Sequence, residues 1–314
     1  MLDWLKKHIT AISLTGVFLV GLGLLAYPTV SDYWNSFHQS EAIMDYAKSV
    51  SDMDSEAYDE ILASAEAYNA QNKMNWNFSE EDRKQYEKEL NFNDSGIMGY
   101  INIPKIDIKL SIFHGTDESV LQTSIGHLEG TSLPIGGTGT HSVLSGHRGL
   151  PSARLFSDLD KLREGDVFTL HILDETLTYE VDQIRVVEPT DLSQLQIDPD
   201  KDYCTLVTCT PYGINTHRLL VRGHRIDNLD GNANVIADAV QIKPIFIAPF
   251  LAVPILLILL AYILLVTSRP YQERYKKRKQ DYLRQHGLQP VPNTNKKNDY
   301  QKVLDKLKAY SKHD

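Results

Sequence analysis

The stretch YCTLVTCTPYGINTHRLLVRGHR, residues 203–225, decides the reading of this chain. A β-type run ends at Cys209, a connection with proline and glycine follows, and a second β-type run opens near His217. If the two runs pair as a hairpin, Cys209 and Arg218 face one another across its mouth, within side-chain reach. A guanidinium placed there could lower a thiol pKa, or donate to a carbonyl oxygen that becomes an oxyanion. The plainer alternative is a buried cysteine beside a surface arginine. The other cysteine, Cys204, is five residues away. In extended chain that is roughly 17 Å, with the odd offset turning the two thiols to opposite faces. A disulfide needs Cα atoms within about 7 Å, so a strand here leaves at least one thiol free.

A thiol nucleophile needs a group to manage its proton and that of the leaving group, most often a histidine. Of the eleven histidines, His147 stands apart. The run SVLSGHRGLPS ends an apolar strand and enters a loop with two glycines and a proline, which presents the ring at a strand edge. His114, His127, His141, His171, His217 and His224 read as surface or satisfied core residues. No C-x-x-C, H-E-x-x-H or acidic calcium loop occurs, so no metal site is expected. A serine mechanism is equally unsupported, since no G-x-S-x-G is present.

Around this region the chain divides by composition. Between Lys7 and Asp32 the only titratable side chains are His8 and Tyr27, and residues 9–28 supply the run of about 20 apolar residues that a bilayer-spanning helix requires. A buried core helix and a cleaved signal peptide are the alternatives, but no small-residue cleavage site follows. Residues 244–268 form a second uncharged run between Lys243 and Arg269. Lys6 and Lys7 before the first span, and RPYQERYKKRKQDYLR after the second, place residues 1–8 and the basic tail, 269–314, in the cytoplasm. The tail has 13 Lys or Arg against 5 Asp or Glu, a net of +8, and suits anionic inner-leaflet lipid. Residues 29–243 have 17 against 35, a net of −18, which excludes a nucleic-acid partner.

Within the segment between the spans, residues 29–94 read as a helical extension. Ala57, Tyr58, Ile61, Leu62, Ala65 and Tyr68 recur at helical spacing, and SEEDRKQYEKEL forms a second short helix opened by a Ser79–Asp82 capping box. From residue 95 to 228 the pattern changes to short β-runs divided by turn residues, including a hairpin turning near Asp174 and Glu175. Such spacing predicts an all-β sandwich or barrel. TSLPIGGTGT is glycine-rich but lacks a phosphate-loop lysine and is read as a connection. Residues 229–243 are a linker.

TLVTC at Thr205 to Cys209, Arg218 in THRLLVRGHR and His147 in SGHRGLPSARLF together resemble the sortase family of Gram-positive transpeptidases. The helical extension and second span are similar to the pilus-assembling class C. The resemblance implies a mainly β fold, an eight-stranded sortase-type barrel with an N-terminal helical extension and two flanking transmembrane helices. It implies that Cys209 attacks the Thr-Gly carbonyl of an LPxTG-like sorting signal, that His147 acts as general acid and base, and that Arg218 holds the substrate and steadies the oxyanion. The implied partner is a pilin subunit whose lysine receives the acyl group, with both proteins at the cell membrane; no cofactor is implied. The alternatives are attachment of proteins to cell-wall peptidoglycan and, from another class, a non-catalytic membrane-anchored scaffold. One departure concerns the lid. Class C enzymes carry an Asp-Pro-aromatic lid, whereas residues 72–82 here read NKMNWNFSEED. Phe78 or Trp76 could fill the aromatic position, and Glu80, Glu81 or Asp82 the acidic one; simple packing of both rings under the next helix is the alternative.

Overall fold

The computed structural model describes residues 2–71, 74–93 and 95–228, and within 256–286 all but 259, 263 and 266–268. The chain divides into two compact units, residues 19–246 and residues 1–18 with 247–314. Helix α1 (Leu2–Ser51) contains, from Ile12, a window of mean hydropathy 1.7, long and apolar enough to cross a membrane. The expected second span and the linker lie largely outside the described residues; α5 (Arg269–Gln285) is the basic helix after it.

The larger unit is built on eight strands: β1 (Ile97–Ile103), β2 (Ile108–His114), β3 (Ile125–His127), β4 (Thr140–Ser145), β5 (Val167–Ile172), β6 (Glu175–Val187), β7 (Asp202–Thr210) and β8 (His217–Ile226). They close into a barrel in the order β1-β2-β3-β4-β7-β8-β6-β5. Pairs β2–β3 and β4–β7 are parallel, and the others antiparallel. Closure leaves no free edge, and strand alternation sends Ile101, Ile112, Leu144, Leu170, Leu206 and Val221 into one interior core.

The helical extension differs from the expected one in two respects. The span and the first part of the extension are a single helix, because α1 continues without a break to Ser51. After α2 (Ser55–Gln71), α3 covers only Glu80–Tyr86. Its capping box forms as expected, with Asp82 N–H donating to Ser79 Oγ at 3.1 Å and Ser79 N–H to Asp82 Oδ2 at 2.9 Å. The chain then leaves the helix so that Leu90, with φ 57°, can enter the core.

From Ser31 onward, α1 lies along the barrel from one rim to the other. Ser31 Oγ donates to Ser152 O at 3.1 Å and Arg154 N–H to Asp32 Oδ1 at 2.8 Å, both in the connection after β4. Halfway along, Gln39 bonds Thr123 O and the N–H of Ser111. At the far rim the buried Tyr46 hydroxyl donates to Met98 O at 2.9 Å and accepts from Leu173 N–H at 2.7 Å.

α3 is held by a buried polar cluster. Tyr86 OH accepts from Gly115 N–H at 2.9 Å and meets His127 Nδ1 at 3.0 Å, while His127 Nε2 lies 2.8 Å from Ser132 O. A carbonyl can only accept, so the neutral ring carries its proton on Nε2. Burial pushes the His127 pKa down to about 4, and burial with nearby Lys109 does the same to His171. In both cases the unfolded chain binds a proton that the folded chain refuses. Their stability contribution is complete above about pH 6.5 and is lost as pH falls toward 4. The melting temperature should therefore decline across that window, and His127→Gln should flatten part of the decline; an unchanged slope in the variant would refute this assignment.

Candidate active site

Alternation along β7 sends Cys204 and Leu206 into the barrel core, so Val207 and Cys209 lie on the outer face. On β8, Leu219 and Val221 point inward, which leaves Arg218 and Leu220 outside. The register pairs Cys209 directly with Arg218. Both thiols are free, Cys204 wholly buried and Cys209 half-buried.

β4 runs parallel to β7 with Ser145 opposite Val207. The ladder continues one residue further, since Gly146 N–H donates to Val207 O at 3.1 Å and Thr208 Oγ1 to Gly146 O at 2.7 Å. His147 thus leaves β4 level with Cys209 on the neighbouring strand, at a backbone spacing of about 4.8 Å. The structure brings Cys209, Arg218 and His147 to one rim of the barrel.

Arg218 donates only to carbonyls of its own hairpin, Asn215 O at 3.4 Å and His217 O at 3.2 Å, and no carboxylate lies within ion-pair distance among the described residues. Its remaining N–H groups are available to a ligand. His147 Nε2 is shielded from solvent without a hydrogen bond, and the Glu118 carboxylate stands 3.5 Å away. Glu118 opens the short helix α4 (Glu118–Leu121). Arg148 ties the two strand ends together: it donates to Thr210 Oγ1 at 3.1 Å and pairs with Asp160 at 2.5 Å. Sequence reading missed both Glu118 and Arg148. For Arg148 the signal was a basic residue next to the candidate histidine; for Glu118 nothing local linked it to a ring 29 positions on.

Beside the three residues, the outer face carries a second apolar cluster. Val143 of β4, Val207 of β7 and Leu220 of β8 form its floor, and Leu192 and Leu195, from the connection between β6 and β7, cover it. His141 Nδ1 lies 2.9 Å from Gln196 O, and its Nε2 is 2.7 Å from Thr205 Oγ1, which fastens that cover to the sheet.

The lid-like segment lies against the connection between β3 and β4. Asn75 N–H donates to Gly130 O at 2.9 Å, and Arg83 pairs with Glu129 at 2.6 Å. Gly130 has φ +82°, and a Cβ there would come within 2.0 Å of Asn75 O, so only glycine permits the contact. Phe78 is half-buried and packs edge-on against Tyr86, with ring centroids 5.7 Å apart. Trp76 is 38% exposed. Asp82 is engaged in the capping box, and neither Glu80 nor Glu81 pairs with Arg218.

A family model described as the Sortase domain matches residues 101–226. Sortase D of Bacillus subtilis (strain 168) is 30% identical over 131 residues, covering 41% of this chain and 63% of that protein; the chain thus spans just under two thirds of that relative. Among solved structures, sortase C1 from Streptococcus agalactiae is 61% identical, with TM-score 0.59, over 60% of this chain and the whole of that one. The chain belongs to the sortase family. A second sortase C structure, from Streptococcus pneumoniae, is 45% identical with TM-score 0.53, over 60% of this chain and 97% of that chain, and is described in terms of pilin substrate specificity. The closed eight-stranded barrel and the N-terminal helix are those of a sortase fold.

Proposed function

We propose that this sortase is a membrane-anchored cysteine transpeptidase that cleaves an LPxTG-like sorting signal between Thr and Gly and transfers it to a pilin lysine. The observation that carries the reading is the register pair Cys209–Arg218 with His147 level on the parallel neighbour. The Cys209 sulfur attacks the Thr carbonyl carbon, and the oxygen that takes the charge is met by Arg218 N–H groups. The C–N bond to Gly breaks as His147 gives a proton to the departing amine. A lysine amine then attacks the thioester and loses its proton to His147, and the sulfur leaves. The apolar cluster beside Cys209 supplies a dry bed for a side chain of the signal, which favours the amine over water. Pilin as the second substrate is supported by the class C neighbours, one of them described through its pilin specificity. α1 supports membrane anchorage.

The test is to incubate the full-length protein with a synthetic LPxTG-type peptide and trap a thioester on Cys209, then to supply a pilin and a peptidoglycan-type amine together. A ladder of covalent pilin oligomers is expected. Discharge by the peptidoglycan-type amine alone would assign the protein to wall attachment, and absence of any thioester would leave a scaffold.

The two lid candidates separate by environment. Phe78→Ala, which strips a ring from Tyr86, should lower the melting temperature by several degrees. Trp76→Ala should leave stability within about 0.5 kcal/mol and raise the acylation rate if this ring covers the site. An unchanged rate in both variants would remove the lid from the mechanism.

A further inference from the structure

The catalytic rim is also the rim at which α1 joins the barrel. β2 begins there, because it runs parallel to β3, with Ile112 opposite Ile125, and β3 runs antiparallel to β4, with Gly126 opposite Ser145. The connections at this rim therefore include the β1–β2 turn, the chain after β4 and the β7–β8 hairpin. Between them and α1 lies a cavity of about 800 Å³, a size typical of ligand sites. Its walls combine apolar side chains, Ile106 before β2, Leu150, Pro151 and Ala153 after β4 and Tyr212 after β7, with charged ones that include Asp32, Lys105, Arg154 and Asp158.

Two features say what could occupy it. Leu150 stands three positions beyond His147 and Tyr212 three beyond Cys209, so the cavity opens at the same rim as the reacting groups, although none of them lines it. The two loops touch: Gly149 has φ +79°, and a Cβ on it would meet the Tyr212 ring at 3.1 Å. The apolar cluster of Val143, Val207 and Leu220 runs from Cys209 in the other direction, away from the rim. A peptide lying extended across Cys209 with one half in that cluster must lay its other half over the rim. The charges around the cavity are largely spoken for. Asp158 is held by Arg154 and Lys161, Lys105 lies 3.5 Å from Asp166, and Asp32 accepts the Arg154 N–H. An uncharged, apolar segment fits such walls better than an ion.

We infer that this cavity binds the leaving-group side of the sorting signal, an uncharged segment that follows the cut in a substrate tethered to the same membrane. The inference rests on the transpeptidase reading above. α1 meets the cavity at Thr29, where its apolar run ends, so a substrate chain leaving Cys209 through the cavity heads back to the level at which the bilayer would begin. The cavity adds affinity before the cut and releases the fragment after it.

Full-length protein in detergent, given an LPxTG-type peptide ending one residue beyond the cut and another extended by eight apolar residues, tests this through kcat/KM for fragment release. The extended peptide should be favoured about tenfold, equivalent to about 1.4 kcal/mol. Thr29→Trp, which fills the cavity from the helix, and Tyr212→Ala, which removes its inner wall, should each bring the ratio toward one. A photoreactive residue four positions past the cut should label residues 149–153 or 212. A wild-type ratio near one with normal acylation of the short peptide, a ratio unchanged in both variants, or labelling elsewhere would each overturn the inference while the transpeptidase reading stands. Failure of both peptides to acylate Cys209 would overturn that reading too.

Discussion

Cys209→Ala should abolish thioester formation, with a loss of about 10⁴-fold or more in turnover, while the melting temperature stays near that of the parent. The half-buried thiol is at a strand end on the outer face, and its removal opens no core cavity. Cys204→Ala is the internal control. Burial, with Asp202 nearby, pushes the Cys204 thiol well up, so it stays protonated and unreactive inside the barrel. That variant should keep the thioester and lose about 1 kcal/mol of stability. A thiol-reactive probe should label only Cys209. Persistence of the acyl-enzyme in Cys209→Ala would dismiss the proposed nucleophile.

Arg218→Lys should cost about 10²–10³-fold in kcat with a smaller change in KM. The substitution keeps the charge but replaces a planar fork with a single ammonium. Arg218 already spends N–H groups on Asn215 O and His217 O, so the fork is oriented by its own hairpin. A lysine has no second arm to hold that orientation and donate to an oxyanion together. The split between kcat and KM can be read from peptide-cleavage kinetics. A loss confined to KM would mean that Arg218 binds substrate without favouring the transition state.

Where residues in a strand obey alternation, the sequence was legible. The hairpin of β7 and β8 could be drawn from TLVTC and THRLLVRGHR, and with it the pairing of Cys209 and Arg218. The capping box at Ser79 was equally visible, because both partners lie within four residues. β3 could not be read, since three residues, Ile125–His127, are too few for a period to show. The eighth strand came from the family resemblance. The neighbour of His147 was also out of reach: parallel pairing of β4 with β7 joins segments about 60 residues apart, and nothing in either strand encodes the partner. The extension of α1 to Ser51 was missed because its first barrel contacts are polar, through Ser31, Asp32 and Gln39, and the apolar ones, Ile43, Tyr46 and Val50, come only near its C-terminal end.

The attachment of α1 at both rims sets a rule for where the chain can be shortened at its N-terminal side. A version cut just before Ser31 sheds the apolar run and keeps every clasp from Ser31 to Tyr46. A version cut after Tyr46 would unpin the hydroxyl shared by Met98 and Leu173, leaving the β5–β6 turn and the start of β1 to fray.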